Sequence, residues 1–436
     1  MLADVPVSRA EKPKRQLRWM KLDNAAKIYP AARRRNWNNV FRLSVTLRED
    51  VDPEVLQQAL DRVIIRFPSI AVRLRHSTFW YYLEEIPHAP RVMKEFSYPL
   101  THFPFDDILT CAFRVLYYRG RIAVEFFHAI ADGNGGMIFL KTLAAEYLRL
   151  KHGTDIPCTE GVLDISEPAR EEELRDDFPR YSGRVSANRK EATAYQLKGT
   201  PEPDGYRNII IGELDARAVI DKAHEYGVTI TELMAGVMIK AFLDLQEKRV
   251  PPKKRRPAKV LIPVNLRRMF PSETLRNFVL YVTPGIDPAL GDYSFEEILS
   301  ELHSTMKLEL SPKRMAARIR ANVKMEQMLP LKLLPLFVKN IGMKIVYDMT
   351  GEKKSCITMS NLGVIRVPAE MSPFIERFGF TLGVQRTSPN NCTVISYGGK
   401  LYVTMIRSIE EPVLERRFYT TLRKLGLAVK VESNGR

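Results

Sequence analysis

Two spacings of apolar residues alternate along this chain, and their order restricts it to a mixed architecture. Between Asn39 and Leu47, Val40, Phe41, Leu43, Val45 and Leu47 fall mostly two apart, as in a half-buried strand. Asp52-Pro53-Glu54 then supplies an N-cap, a first-turn proline and an acidic residue, after which Val55, Leu56, Leu60, Val63 and Ile64 share one helical face that ends at Pro68. The pattern returns to two at Ile70, Val72 and Leu74, leaving Arg73 and Arg75 on the opposite face of that strand. Ala112 to Tyr118 and Arg121 to Phe127 read as two further strands joined at Arg119-Gly120. The second of them runs into His128-Ala129-Ile130-Ala131-Asp132-Gly133, and a helical pattern follows from Asn134 to Leu150.

The alternation restarts in the second half. Strands are expected at Asn208 to Ile211, Lys259 to Val264, Cys356 to Ser360, Phe378 to Val384, Cys392 to Tyr397 and Leu401 to Ile406. Helices are expected over Thr229 to Leu245 and Pro412 to Leu425. A stretch from about Thr154 to Arg207, rich in charge, Pro, Ser and Gly, separates the halves. The reading is an α/β (α+β) chain with an N-terminal subdomain over 1–165, a connecting segment over 166–205 and a C-terminal subdomain over 206–436.

Composition excludes several functional classes. At 436 residues, 45% hydrophobic and 27% charged, the chain has enough apolar material for two cores and is not a disordered protein. Cys111, Cys158, Cys356 and Cys392 show neither a CxxC pair nor zinc-ligand spacing, so the chain reads as reduced and metal-free, with a cytoplasmic location as the simplest expectation. No apolar run is long enough for a signal segment or a membrane span. Glycine-rich phosphate loops of the common types are absent. The formal charge of +16 favours anionic partners, and the runs Lys12-Pro13-Lys14-Arg15, Arg33-Arg34-Arg35 and Lys253-Lys254-Arg255-Arg256 could meet phosphates, anionic lipid or an acidic protein. Leu329 to Tyr347 mixes apolar residues with Lys332, Lys339 and Lys344, as a basic amphipathic helix does; it is a candidate for peripheral membrane contact or for a helix packed on the second half.

His128 carries the chemistry. A base that deprotonates an alcohol or amine near neutral pH needs an unprotonated ring nitrogen and a fixed ring, and the end of a strand before a tight turn provides the rigid, exposed setting. Asp132 has two candidate roles: a hydrogen-bond partner of the imidazole, or a structural brace paired with an arginine. The brace is favoured, with Arg73 and Arg75 as the candidate arginines, Arg73 first, and Gly133 allows the close turn.

Phe126-Phe127-His128-Ala129-Ile130-Ala131-Asp132-Gly133 resembles the HxxxDG segment of the chloramphenicol acetyltransferase-like superfamily, which includes peptide-synthetase condensation domains, alcohol acyltransferases and carnitine acyltransferases. Val51-Asp52-Pro53-Glu54-Val55-Leu56, Pro104-Phe105-Asp106, Pro263-Val264-Asn265-Leu266-Arg267 and Ser360-Asn361-Leu362-Gly363 resemble family segments in the same chain order. Phe127 stands where condensation domains carry a second histidine, Ala71 where they carry an arginine, and the plant-type DFGWG segment is absent; the likeness is nearest in type to alcohol acetyltransferases. The resemblance implies two similar subdomains, each a mixed sheet with flanking helices, forming a V-shaped pseudo-dimer around a central tunnel. It also implies transfer of an acetyl or other short acyl group from a coenzyme A thioester to a hydroxyl or amine, with His128 as general base and acyl-coenzyme A as a cosubstrate rather than a resident cofactor. Ser360 is then the candidate oxyanion donor, and Ser396 and Arg267 are candidates for substrate binding. A donor loaded on a carrier protein is the alternative within the fold. Outside it stands a non-catalytic basic scaffold that binds nucleic acid or membrane, although no nucleic acid is expected as a partner of the acyltransferase.

Overall fold

A computed structural model of the chain describes residues 17–32, 39–186, 192–328, 333–346, 352–384 and 388–435. The basic runs at Lys12 to Arg15 and Arg33 to Arg35, and the segments 329–332 and 347 of the amphipathic stretch, lie outside the described residues.

The first half opens with β1 (Trp19–Lys21), α1 (Ile28–Ala32), β2 (Val40–Leu47) and α2 (Pro53–Val63). Asp52 caps α2 by accepting hydrogen bonds from the backbone of Glu54 and Val55 at 3.0 and 3.3 Å, and Leu56, Ala59, Leu60 and Val63 form its buried face. Then come β3 (Val72–His76), β4 (Tyr81–Glu85), β5 (Met93–Lys94), α3 (Phe105–Ile108), β6 (Phe113–Tyr118), β7 (Arg121–Phe127) and α4 (Gly133–His152). Most of α4 is buried from Gly135 to Leu148, because it runs through the first core rather than over its surface. Gly153, in the left-handed region at φ 67°, ends it.

After a short α5 (Glu171–Leu174), the second half is built from β8 (Asn208–Asp215), α6 (Ala216–Glu225), α7 (Ile230–Arg249), β9 (Ala258–Asn265), β10 (Val279–Val282) and β11 (Gly285–Ile286). It continues with α8 (Phe295–Glu309), α9 (Pro312–Gln327), α10 (Leu336–Val346), β12 (Ile357–Val364), β13 (Ile375–Leu382), β14 (Asn390–Tyr397), β15 (Lys400–Arg407), α11 (Val413–Lys424) and β16 (Lys430–Ser433). α7 starts with a reciprocal capping box between Thr229 and Glu232 and is the buried helix of the second core. The segment expected to connect the halves is itself anchored: Glu173 takes two hydrogen bonds from Arg66, both residues being buried, and Phe178 enters the second core.

Three sheets organise the described residues: a three-stranded sheet β1-β4-β3, a five-stranded sheet β13-β2-β7-β6-β5, and an eight-stranded sheet β10-β9-β12-β14-β15-β8-β16 with β11 on β9. Parallel pairs (β12 with β9 and β14, β5 with β6) mix with antiparallel ones, giving the mixed sheets flanked by helices of an α/β fold. β13 comes from the second half of the chain yet pairs with β2, from Ile375 opposite Leu47 to Leu382 opposite Phe41. The sheet that ends in His128 is thus completed by a strand that follows β12 in sequence.

Candidate active site

β7 and β2 pair from Arg121 opposite Thr46 to Phe127 opposite Val40, so His128 is the first residue past the end of the ladder. Its backbone N–H still donates to Asn39 at 2.7 Å, which fixes the start of the turn. Ala129, Ile130 and Ala131 are fully buried, and the Ile130 N–H closes the turn onto Phe127 at 3.0 Å. The imidazole stacks on Tyr29 of α1, with ring centres 4.8 Å apart, and Phe41 lies tilted against it at 4.9 Å. Burial holds the His128 pKa below its ordinary 6.5. A hydrogen bond to its own backbone, the Asp132 charge and a contact with Asn277 act in the opposite direction.

That contact decides which nitrogen is basic. Nδ1 of His128 lies 3.2 Å from Oδ1 of Asn277, while the Asn277 amide nitrogen lies 3.3 Å from a carboxylate oxygen of Asp23. Asp23 has no exposed surface, and the same carboxylate oxygen also faces the Asn277 backbone N–H, a group that can only donate, at 3.4 Å, so it acts here as an acceptor. The amide NH₂ thus faces Asp23 and the amide oxygen faces the ring. Nδ1 therefore carries the proton, and Nε2 keeps its lone pair.

Asp132 turns away from the ring. One of its oxygens accepts from the backbone of Asn134 and Gly135 at 3.1 and 3.0 Å, capping α4; the other accepts from Arg267 Nη1 at 2.6 Å and from the Phe278 N–H at 2.9 Å. The guanidinium of Arg267 also donates to the carbonyls of Thr274 and Arg276 and to the Asn265 side chain. Two expectations are corrected by this geometry. Arg267, a candidate for substrate binding, spends its donors on the protein, and the arginine that meets Asp132 is Arg267, not Arg73 or Arg75. Arg73 stands opposite Glu84 in the β3–β4 register and pairs with it at 2.6 Å, as does Arg75 at 3.1 Å, so the polar face of β3 is satisfied within its own hairpin.

β12 meets this turn from the other half of the chain. A Cβ added to Gly133 would come within 2.6 Å of Leu362, so the absence of a side chain there allows the close approach. The Asn361 side chain donates to Thr231 at the start of α7, at 2.9 Å, so strand alternation puts Ser360 and Leu362 on the face away from α7. Ser360 is half-buried. Ser396 lies next to β12, pairing in register with Val364 and accepting through its carbonyl from Ile365 at 2.8 Å, while Tyr397 packs edge-on against Phe378. Of the remaining histidines, His152 and His303 contact Glu49 and Glu232. Among the described residues no group of three or more His, Cys, Asp or Glu could hold a metal ion.

The sequence reading missed Tyr29, Asp23 and Asn277. Asn277 lies 149 residues from His128 and Asp23 a further 105 residues before it, with no motif around either. The single local signal is the turn in which Asp23 accepts from the Ala26 N–H at 2.7 Å.

No protein-family model matches the sequence, and no curated protein does. Solved structures do match over nearly the whole chain. Fusarium sporotrichioides TRI101, solved with coenzyme A and T-2, is similar at 12% identity and a TM-score of 0.61, with 96% of this chain and 100% of that one covered. Polyketide synthase associated protein 5 from Mycobacterium tuberculosis matches at 14% identity and 0.56, covering 92% and 96%. The first condensation domain of the CDA synthetase matches at 15% and 0.56, covering 93% and 96%. The chain therefore has the two-subdomain fold shared by chloramphenicol acetyltransferase-like acyltransferases and condensation domains. Among the described residues no helix is long and apolar enough to cross a membrane.

Proposed function

We propose that this chain is an acyltransferase that moves an acyl group, acetyl or another short acyl, from a coenzyme A thioester to a hydroxyl or amine acceptor. The observation that carries the reading is the contact of His128 Nδ1 with the Asn277 amide oxygen, which assigns the ring proton to Nδ1 and leaves Nε2 basic. Nε2 takes the acceptor proton as the oxygen or nitrogen attacks the thioester carbonyl. The tetrahedral intermediate then expels the thiolate, and Nε2–H returns the proton to sulfur, leaving an ester or amide and a free thiol. Ser360, on the strand that reaches Gly133, serves as the oxyanion donor, a role worth about 3 kcal/mol of barrier. Asp132 braces the turn through Arg267 rather than sharing the proton. Support for coenzyme A as the thiol carrier comes from the likeness to TRI101 structures complexed with coenzyme A and ethyl coenzyme A.

The likeness to a polyketide synthase associated protein and to a condensation domain favours a second reading, in which the donor thioester is carried by a protein. One experiment separates the two. Purified protein is given a panel of acyl-coenzyme A donors with alcohols and amines, and free thiol is followed; the same acyl group is then presented on a phosphopantetheinylated carrier protein. Acceptor-dependent thiol release from coenzyme A supports the first reading, and release from the carrier alone supports the second. Release from neither, across acyl lengths, sinks the acyltransferase assignment.

A further inference from the structure

We propose that α10 and the tip of the β3–β4 hairpin together form a docking surface for an anionic lipid bilayer. Phe337 and Ile341, one helical turn apart on α10, are 68% and 59% exposed, and Trp80 at the hairpin tip is 52% exposed. Phe79 and Leu333 are exposed beside them. Single exposed apolar residues are ordinary, but a contiguous group on one face is not. Contiguity here is set by hydrogen bonds. The Leu336 N–H donates to Thr78 at 2.8 Å, Lys339 Nζ to the Phe79 carbonyl at 2.8 Å, and the Asn340 amide to the Tyr81 hydroxyl at 3.0 Å. The aromatic tip is also held in shape, with the Ser77 hydroxyl accepting from the Trp80 N–H at 3.3 Å and the Ser77 N–H donating back to the Trp80 carbonyl at 2.8 Å.

Charge selects the occupant. The segments 76–83 and 333–346 contain Lys339 and Lys344 and no Asp or Glu. Lys344 follows Phe337 and Ile341 at i+7 and i+3, at the edge of the same stripe, where its stem can lie along an apolar layer with its ammonium among headgroups. The nearest carboxylate on this hairpin, Glu84, is already neutralised by Arg73 and Arg75. Apolar and aromatic side chains bordered by cations match the boundary of a negatively charged bilayer. A second copy of this chain fits worse, because a two-fold contact would bring the same cations face to face.

The surface also lies next to the candidate catalytic base. α10 packs on α1, and α1 carries the Tyr29 that stacks on His128. Docked in this way, the protein presents the His128 side of the molecule to the bilayer. That consequence rests on the acyltransferase reading, whereas the docking itself does not.

The test is co-sedimentation of the full chain with vesicles of pure phosphatidylcholine and with vesicles in which roughly a third is phosphatidylserine. Wild type is expected to bind the anionic vesicles and to lose binding as salt is raised. Phe337→Asp with Ile341→Asp is expected to weaken binding about tenfold or more, and Lys344→Glu several-fold, with unchanged melting curves because all three positions are exposed. Failure of wild type to bind either vesicle overturns the proposal. So does equal binding by wild type and the double variant, or a dimer in solution that disappears in that variant. Since binding is the readout, this result stands apart from whether thiol is released in the transfer assay.

Discussion

Replacing Asp132 by alanine tests whether this carboxylate braces the turn or shares the proton. The side chain accepts from two N–H groups in the first turn of α4, from the Phe278 N–H and from Arg267, and both members of the ion pair are largely buried. Removing one partner of a buried, hydrogen-bonded ion pair costs about 3–5 kcal/mol, because the remaining charge has lost its counter-charge. Loss of the helix cap adds about 1 kcal/mol. The Thr274 and Arg276 carbonyls still accept from Arg267 and moderate the first figure, so the expected loss is about 3–4 kcal/mol by urea denaturation at neutral pH. Arg267→Ala should cost a similar amount. The double variant should fall well short of the sum, since each single change already breaks the shared contact. Activity should fall along with the stability, and the acid limb should move slightly downward, because the Asp132 charge no longer favours the imidazolium. A stability change under 1 kcal/mol together with a large loss of activity in the folded variant would show that Asp132 serves the imidazole rather than the turn, and the brace would be abandoned.

Other expectations follow from the same geometry. Because burial lowers the His128 pKa and the base acts unprotonated, kcat/KM should be flat around neutral pH and fall on a one-proton limb below 6.5; a limb above pH 7 contradicts this assignment. Asn277→Ala should lower kcat about tenfold by loosening the ring; an unchanged kcat in that variant would remove Asn277 from the account. Asp23 has a folded pKa of about 6 against an unfolded value near 3.8, so the folded state binds the extra proton between these values and stability falls as pH rises through that window. The drop is about 2–3 kcal/mol at most, complete by pH 7, and Asp23→Asn should flatten the curve.

The legible parts of this molecule were local. The cap at Asp52, the β6–β7 hairpin and the turn from His128 to Gly133 depend on residues within a few positions of one another, and their spacing declares them. Register and long-range pairing are not declared in that way. Arg73 and Arg267 carry the same group, and strand alternation alone could not reveal that Glu84 would stand opposite Arg73 while Arg267 reaches Asp132 across 135 residues. β13 is readable as a strand, but nothing in its alternation tells that it pairs with β2. The Asp23–Asn277–His128 chain joins the legible histidine to two single polar residues from distant segments, neither of which any spacing in the sequence marks out.

The central claim is that His128 is the base of a thioester-dependent transfer. Its most direct test is acceptor-dependent thiol release by wild type and by His128→Ala under one set of conditions, with melting curves to show that the variant is folded. The account predicts a folded variant whose turnover is at least about a hundredfold lower. A folded His128→Ala protein that releases thiol at the wild-type rate would contradict it.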